Sequence, residues 1–145
     1  LLAEWLERLH RRPPGGATES RLGALNIPAL SSRLDELMRR DRYYANEELT
    51  IADLARALNI TSHQVSELLN RRLATSFFHY VNGFRVQEAC RLLRGEGDRT
   101  ILSIAYEVGF NSKSAFHRAF SRHTGLSPRE FRRASRADAA GDESV

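Results

Sequence analysis

The 145-residue sequence has a single cysteine, Cys90, which excludes an internal disulfide and fits a reducing compartment. No apolar run approaches the roughly 20 residues of a membrane-spanning helix, and no secretory signal pattern is present. A glycine-rich phosphate loop, paired carboxylates and a nucleophile motif are all missing, which argues against an enzyme. The scattered histidines do not form a metal-ligand set. We therefore expect a protein that is not an enzyme and that uses no metal or cofactor.

The sequence also lacks alternating apolar and polar stretches long enough for a strand, whereas apolar residues recur at helical spacing from about 31 to 135. A hydroxyl residue followed three positions later by an acid or amide marks a helix start, because the two side chains pair otherwise free amides. This pattern occurs at Ser32, Thr50 and Thr61. The sequence predicts an all-α fold of seven helices, near 31–43, 51–58, 62–71, 76–94, 101–108, 112–123 and 128–135.

The two ends of the chain differ from this helical middle, which we place at 30–136. Residues 1–12 form one amphipathic helical pattern, and residues 13–29 contain PPGG and are typical of a flexible linker. We interpret 1–12 as the end of a preceding sensor domain, a dimerising helix, or the cytoplasmic end of a membrane helix, which basic residues often follow. Residues 137–145 are small and acidic, and we expect them to be disordered.

A shift of the sequence by 50 positions reveals an internal repeat. Each copy predicts a helix, a tight turn and a second helix, because asparagine and glycine tolerate the left-handed backbone that such a turn needs. The pattern therefore predicts two helix-turn-helix units, at about 50–71 and 100–123, joined by a linker helix at about 76–94. In this arrangement the second helix enters the DNA major groove. The matched pairs include Thr50/Thr100, Ala55/Ala105, Asn59/Gly109 and Ile60/Phe110.

The positive charge of the chain is concentrated near its end. The formal net charge is only +4 overall, but residues 111–136 contain seven basic residues and one acid, Glu130. Such a basic segment is typical of a surface that binds nucleic acid, because lysine and arginine neutralise phosphates.

Residues 101–133, ILSIAYEVGFNSKSAFHRAFSRHTGLSPREFRR, resemble the signature of AraC/XylS-type transcription regulators. The stretch FFHYVNGFRVQEACRLL at 77–93 resembles the linker helix of the same family. The resemblance implies a bilobed, all-α DNA-binding domain that places its two recognition helices in successive major-groove segments. A linker helix of about 18 residues spans ~27 Å, which is compatible with the ~34 Å recurrence of the groove on one face of DNA.

The candidates for reading bases lie on the second helix of each unit, opposite its apolar face. Lysine and arginine suit guanine, glutamine suits adenine, glutamate accepts from cytosine, and serine contacts several bases. An ordinary solvated polar face is the alternative interpretation. The candidates are His63, Gln64 and Glu67 in the first unit, and Lys113, Ser114, His117 and Arg118 in the second.

The candidates for phosphate contacts are hydroxyl residues at helix starts, polar residues at the end of a helix and late arginines. Helix capping alone would also explain the hydroxyl residues, and an exposed basic helix would also explain the arginines. The set comprises Thr50, Asn70, Arg71, Thr100, Ser112, Arg122, Arg129 and Arg132.

These observations together predict a sequence-specific DNA-binding transcription regulator in the cytoplasm. The resemblance implies RNA polymerase as a second partner and an effector that acts through a missing N-terminal region. That region could also form a homodimer or tether the protein to the inner membrane. The alternative function is a helical adaptor that binds proteins without sequence-specific DNA binding.

Overall fold

The computed structural model describes residues 2–10, 23, 25–95 and 97–142. Within these ranges every regular element is a helix, as the sequence predicts. The α-helices are α1 (Leu2–His10), α2 (Ile27–Arg39), α3 (Ile51–Leu58), α4 (Ser62–Arg72), α5 (Phe77–Arg94), α6 (Ile101–Glu107), α7 (Lys113–Thr124) and α8 (Pro128–Asp142). A short 3₁₀ turn, Tyr43–Ala45, follows α2.

Helix α2 begins and ends about one turn earlier than the prediction of 31–43. Its N-cap is Asn26, whose side chain accepts a hydrogen bond from the Ala29 amide at 3.1 Å. Ser32, the expected cap, lies inside the helix. The Asn26 cap was missed because no acid or amide follows it three positions later.

The last helix is longer than the predicted 128–135. Helix α8 continues to Asp142 through residues that we expected to be disordered. Alanine has the highest helix propensity of all residues, and the ADAA segment at 137–140 extends the helix although its side chains are exposed. Residues 143–145 and most of the predicted linker at 13–29 lie outside the described residues.

Two hydrophobic cores form two lobes, and helix α5 contributes to both. The first core contains buried side chains of α2, α3, α4 and the first half of α5, including Phe84. The second contains side chains of α6, α7 and the second half of α5, including Phe116 and Phe120. Because α5 belongs to both cores, this one continuous helix connects the two lobes. Cys90 is buried in the second core, and burial raises the pKa of its thiol to about 11.

The two tight turns each contain a residue with positive φ and the same closing hydrogen bond, which confirms the predicted repeat. Asn59 has φ 54° and Gly109 has φ 108°, both left-handed. In each turn the next residue closes the helix: the Ile60 amide donates to the Ala55 carbonyl, and the Phe110 amide donates to the Ala105 carbonyl, each at 3.0 Å.

Arg85 of α5 ties the two lobes together. Its Nε donates to the Tyr44 carbonyl at 2.7 Å, and its Nη2 donates to the Asn46 carbonyl at 2.9 Å. The guanidinium also lies 5.6 Å from the centre of the Phe110 ring in the second lobe. Gly109 packs so closely on the same segment that a Cβ there would lie 2.3 Å from the Tyr44 carbonyl oxygen.

Candidate nucleic-acid interface

Helix α7 presents one apolar face to the second core and one polar face to solvent. Ser112 caps the helix, because its hydroxyl accepts from the Ala115 amide at 3.1 Å. Phe116, Ala119 and Phe120 are buried. Three predicted base-reading residues are exposed, namely Lys113, Ser114 and Arg118.

His117 lies at the border between these two faces. Its side chain is half-buried against the edge of Phe116, with 6.0 Å between the ring centres. Its Nε2 is buried and has no hydrogen-bond partner among the described residues. A contact of His117 with a base stays a prediction, and only part of its imidazole is accessible for one.

Ser121 is exposed on the same face of α7 as Ser114 and Arg118, although it is not among the predicted base readers. Residues 114, 118 and 121 follow the spacing of four and then three that places side chains on one stripe of a helix. This spacing was visible in the sequence. Ser121 lies in the last turn of α7, beyond the residues near the helix N-terminus to which the base-reading prediction was confined.

Helix α4 begins with a complete capping box that involves one of the predicted base readers. The Thr61 hydroxyl accepts from the Gln64 amide at 3.1 Å, and the Gln64 Oε1 accepts from the Thr61 amide at 2.9 Å. The carbonyl oxygen of the Gln64 side chain therefore has a structural role at the start of the helix. For Gln64 to read adenine with both ends of its amide, this capping bond would have to break.

The outward stripe of α4 contains His63, Ser66, Glu67 and Asn70, spaced as neighbours on one helical face. His63 and Asn70 are exposed. Glu67 forms an ion pair with Arg71, with 3.1 Å between Oε1 of Glu67 and Nε of Arg71. Only 14% of the Glu67 side chain is exposed, and its second oxygen is buried without a hydrogen-bond partner among the described residues. The structure thus places Glu67 where it orients Arg71.

The three helix-start hydroxyls all cap their helices, but their electrostatic surroundings differ. Thr50 forms a capping box with Asp53, whose Oδ2 accepts from the Thr50 amide at 2.8 Å. Hydrogen bonds from Thr50 hold the pKa of the Asp53 carboxyl below its usual range, so this acid stays ionised at the start of α3. Thr100 caps the Ser103 amide at 3.0 Å, and serine replaces the acid there. Asp53 also pairs with Arg56, and the exposed Asp98 precedes Thr100 by two residues, so an acid lies near both of these helix starts.

The late arginines serve different roles. Arg122 and Arg129 are exposed, which is compatible with phosphate contacts. Arg132 is half-buried, and its Nη2 donates to the Arg99 carbonyl at 2.6 Å. Arg99 in turn pairs with Glu107 of α6. Arg132 therefore connects α8 to the start of the second helix-turn-helix unit.

Membrane-spanning helices and metal-binding clusters are both absent from the part of the chain that the structure describes. None of the described helices has the length and apolar character needed to cross a membrane. The described side chains also contain no group of three or more His, Cys, Asp or Glu residues that could hold a metal ion.

Comparison with known proteins gives a consistent result. A family model described as a helix-turn-helix domain matches residues 54–134. The transcriptional activator RhrA of Rhizobium meliloti is 39% identical over 101 residues, which cover 69% of this chain and 32% of that protein. The C-terminal domain of AraT, a response regulator from Geobacillus stearothermophilus, has a TM-score of 0.63 and 27% identity, covering 79% of this chain and 88% of that one.

A second solved structure agrees with the first. A transcriptional regulator with an AraC-type DNA-binding domain from Chromobacterium violaceum has a TM-score of 0.63 and 27% identity, covering 74% of this chain and 92% of that one. The chain spans about a third of the length of RhrA, whereas it covers most of both solved domains.

Proposed function

Because the chain belongs to the AraC-type helix-turn-helix family of DNA-binding transcription regulators, we propose that it reads a promoter with α4 and α7 in two successive major-groove segments. The observation that carries this proposal is the repeat itself. Two lobes whose turns share a positive-φ residue and the same closing hydrogen bond each present a capped second helix with one buried apolar face and one polar face. Helix α5 and Arg85 hold the lobes together, so one chain can engage both segments.

Helix α7 supplies the stronger base contacts in this proposal. Lys113 and Arg118 donate to guanine O6 and N7, and Ser114 and Ser121 contact bases between them. His117 contributes at the edge of this set through the part of its ring that remains accessible.

Helix α4 reads a different set of bases because its polar stripe differs from that of α7. His63 and Asn70 are exposed along the stripe, and an asparagine can pair with adenine through two hydrogen bonds. Glu67 orients Arg71 toward a guanine or a phosphate. Since the two stripes share no residue pattern, the bound site is asymmetric and one chain occupies it.

Phosphate contacts position the domain, and the second lobe provides most of them. Thr100 and Ser112 cap helix starts in the second lobe, and Arg122 and Arg129 are exposed in the same lobe. At Thr50 the ionised Asp53 pairs with Arg56, so its negative charge is partly compensated at this helix start.

The first experiment is the selection of bound duplexes from a random DNA pool, followed by footprinting. We expect a site of about 17–20 base pairs with two clusters roughly one helical turn apart. A helical adaptor would instead enrich no motif and would show little loss of affinity with rising salt.

A pair of arginine variants then tests base reading. Arg118→Ala should lower affinity for the selected duplex by about 5- to 150-fold, because a good base contact contributes roughly 1–3 kcal/mol. It should change affinity for random DNA much less. Arg136→Ala removes the same charge from an exposed position on α8 and should weaken both duplexes only slightly. Equal losses on both duplexes for Arg118→Ala would contradict its role in base reading.

The names of the relatives motivate further proposals about activation, the effector and the location of the protein. RhrA is named a transcriptional activator, and we propose that this chain likewise activates a promoter by contacting RNA polymerase from its DNA site. An effector would act through a region N-terminal to the domain, which could also dimerise, and the protein would work in the cytoplasm. A reporter with the selected site upstream of a weak promoter tests activation, because an activator raises and a repressor lowers its output.

A further inference from the structure

We propose that α1 is a clasp: Trp5 docks in a notch at Gly83 of α5 and thereby holds the two lobes at the spacing that a two-segment DNA site requires. This inference rests on the proposed reading of two groove segments. It assigns a function to the segment N-terminal to the domain, which sequence patterns had left open among three interpretations.

The notch exists because residue 83 has no side chain. A Cβ at Gly83 would lie 2.0 Å from Cζ2 and 2.2 Å from Cε2 of Trp5, so the indole occupies the space of the missing group. Glycine inside a helix costs about 1 kcal/mol relative to alanine. Gly83 lies in the middle of α5 and is buried, and the close approach of Trp5 accounts for a glycine at this position.

The docked indole contacts both lobes. Only 9% of Trp5 is exposed, and its ring packs edge-on against Phe84, a residue of the first core, at 5.3 Å between centres. On its other side it packs edge-on against His123, in the last turn of α7, at 5.6 Å. Leu2 packs against both hydrophobic cores. Movement of one lobe relative to the other would therefore break contacts of α1.

Undocking of Trp5 should cost a modest amount of free energy, because two buried polar atoms at the docking site lack hydrogen-bond partners. Trp5 Nε1 and His123 Nε2 are both buried and have no hydrogen-bond partner among the described residues. A buried polar atom without a partner is unfavourable. On undocking, both atoms regain water, which offsets part of the lost apolar packing. A domain or ligand acting on the segment that carries α1 could therefore shift this equilibrium.

Docking leaves the reading face of α7 uncovered. Lys113, Ser114 and Arg118 remain exposed while Trp5 contacts the opposite end of the same helix. The clasp therefore acts on the spacing of the lobes and does not block DNA. This determines the sign of the effect: undocking should weaken binding to a two-cluster site.

The experiment uses Gly83→Ala, which fills the notch with one methyl group while improving the helix propensity of α5. Gly141→Ala is the matched control, because that glycine also lies in a helix but a Cβ there meets nothing within 4 Å. Trp5 is the only tryptophan of the chain, so its emission reports docking directly. We expect the emission to shift to longer wavelength in Gly83→Ala and to stay unchanged in Gly141→Ala, with helical content retained in both.

Binding is then measured with two probes: the duplex recovered by selection and a duplex that keeps only the cluster bound by the second lobe. Gly83→Ala and Trp5→Ala should each lose about tenfold in affinity for the two-cluster duplex, equivalent to roughly 1.4 kcal/mol, and little for the one-cluster duplex. An emission shift without loss of two-cluster affinity would overturn the clasp. An unshifted emission would overturn the notch. If the unchanged protein enriches no duplex at all, the proposed function fails instead, and emission still tests the docking.

Discussion

Replacement of Arg85 by alanine should lower the free energy of unfolding, because this residue joins the two lobes by several contacts at once. Its guanidinium donates to the carbonyls of Tyr44 and Asn46 in the first lobe and lies over the Phe110 ring of the second. Burial lowers the pKa of Arg85 to about 10, so the side chain remains a cation at neutral pH. We therefore treat both hydrogen bonds as charge-assisted.

The magnitude follows from the individual contacts. A hydrogen bond to a charged group contributes roughly 1.5–3 kcal/mol, and a cation–π contact about 0.5–1 kcal/mol. Water can reach the Asn46 carbonyl, which is exposed, so its loss is partly compensated. The Tyr44 carbonyl is part-buried beneath Gly109 and loses a partner that water replaces poorly. We expect Arg85→Ala to lower the free energy of unfolding by about 2–4 kcal/mol.

The assay is urea denaturation of the variant beside two comparisons. Arg91→Ala removes an arginine from the same helix that forms an exposed ion pair with Glu88, and should cost less than about 1 kcal/mol. Arg85→Lys keeps the charge but cannot hold two carbonyls with a planar fork, so it should recover only part of the loss. If Arg85→Ala is no more destabilising than Arg91→Ala, the lobes do not depend on Arg85.

Three further predictions concern the turns, a cap and a buried histidine. Gly109→Ala should destabilise by roughly 2 kcal/mol or more in the same denaturation assay, because φ is 108° and a Cβ would meet the Tyr44 carbonyl at 2.3 Å; a loss no larger than that of Gly141→Ala would contradict this. Thr61→Ala should cost about 1 kcal/mol by removing a cap, with no loss indicating that Gln64 alone suffices. Burial lowers the pKa of His123 from 6.5 to about 4. Its neutral form is thus favoured on folding, and stability should fall as pH drops from about 6.5 to 4; the pH dependence in His123→Gln should be flatter.

The correctly predicted parts of the fold are those determined by residues close together in the sequence, such as turns and helix caps. Asn59 and Gly109 were identified as turn residues because only a few residue types tolerate a left-handed backbone, and this property does not depend on distant contacts. The capping boxes at Thr50 and Thr61 were found for the same reason, since both partners lie within three residues. The predicted end of α8 at residue 135 was wrong, because the small and acidic composition of 137–145 was given more weight than its helix propensity.

The contacts that join the lobes could not be predicted in this way. Arg85 and Tyr44 are 41 positions apart, and nothing in either local pattern links them. The same applies to Trp5 and Gly83, which belong to helices that the sequence patterns assign to different parts of the chain. The position of Glu67 on the outward stripe predicts exposure, whereas only 14% of its side chain is exposed in the structure.

The two lobes carry different charges near their polar stripes and should therefore contribute differently to salt-dependent DNA affinity. In the first lobe, both acids near this surface are paired with arginines, Asp53 with Arg56 and Glu67 with Arg71, so each arginine's charge is already compensated. In the second lobe, Ser103 replaces the acid behind the Thr100 cap, and the stripe carries Lys113 and Arg118. Affinity that depends on salt should therefore reside mainly in the second lobe, because it scales with the phosphates neutralised. The first lobe then gains from being held at a fixed distance, since binding of the second lobe raises its effective concentration at the DNA. If the chain reads two groove segments as proposed, this coupling makes DNA affinity depend on the contacts between the lobes at Arg85 and at Trp5, although neither residue lies on α4 or α7.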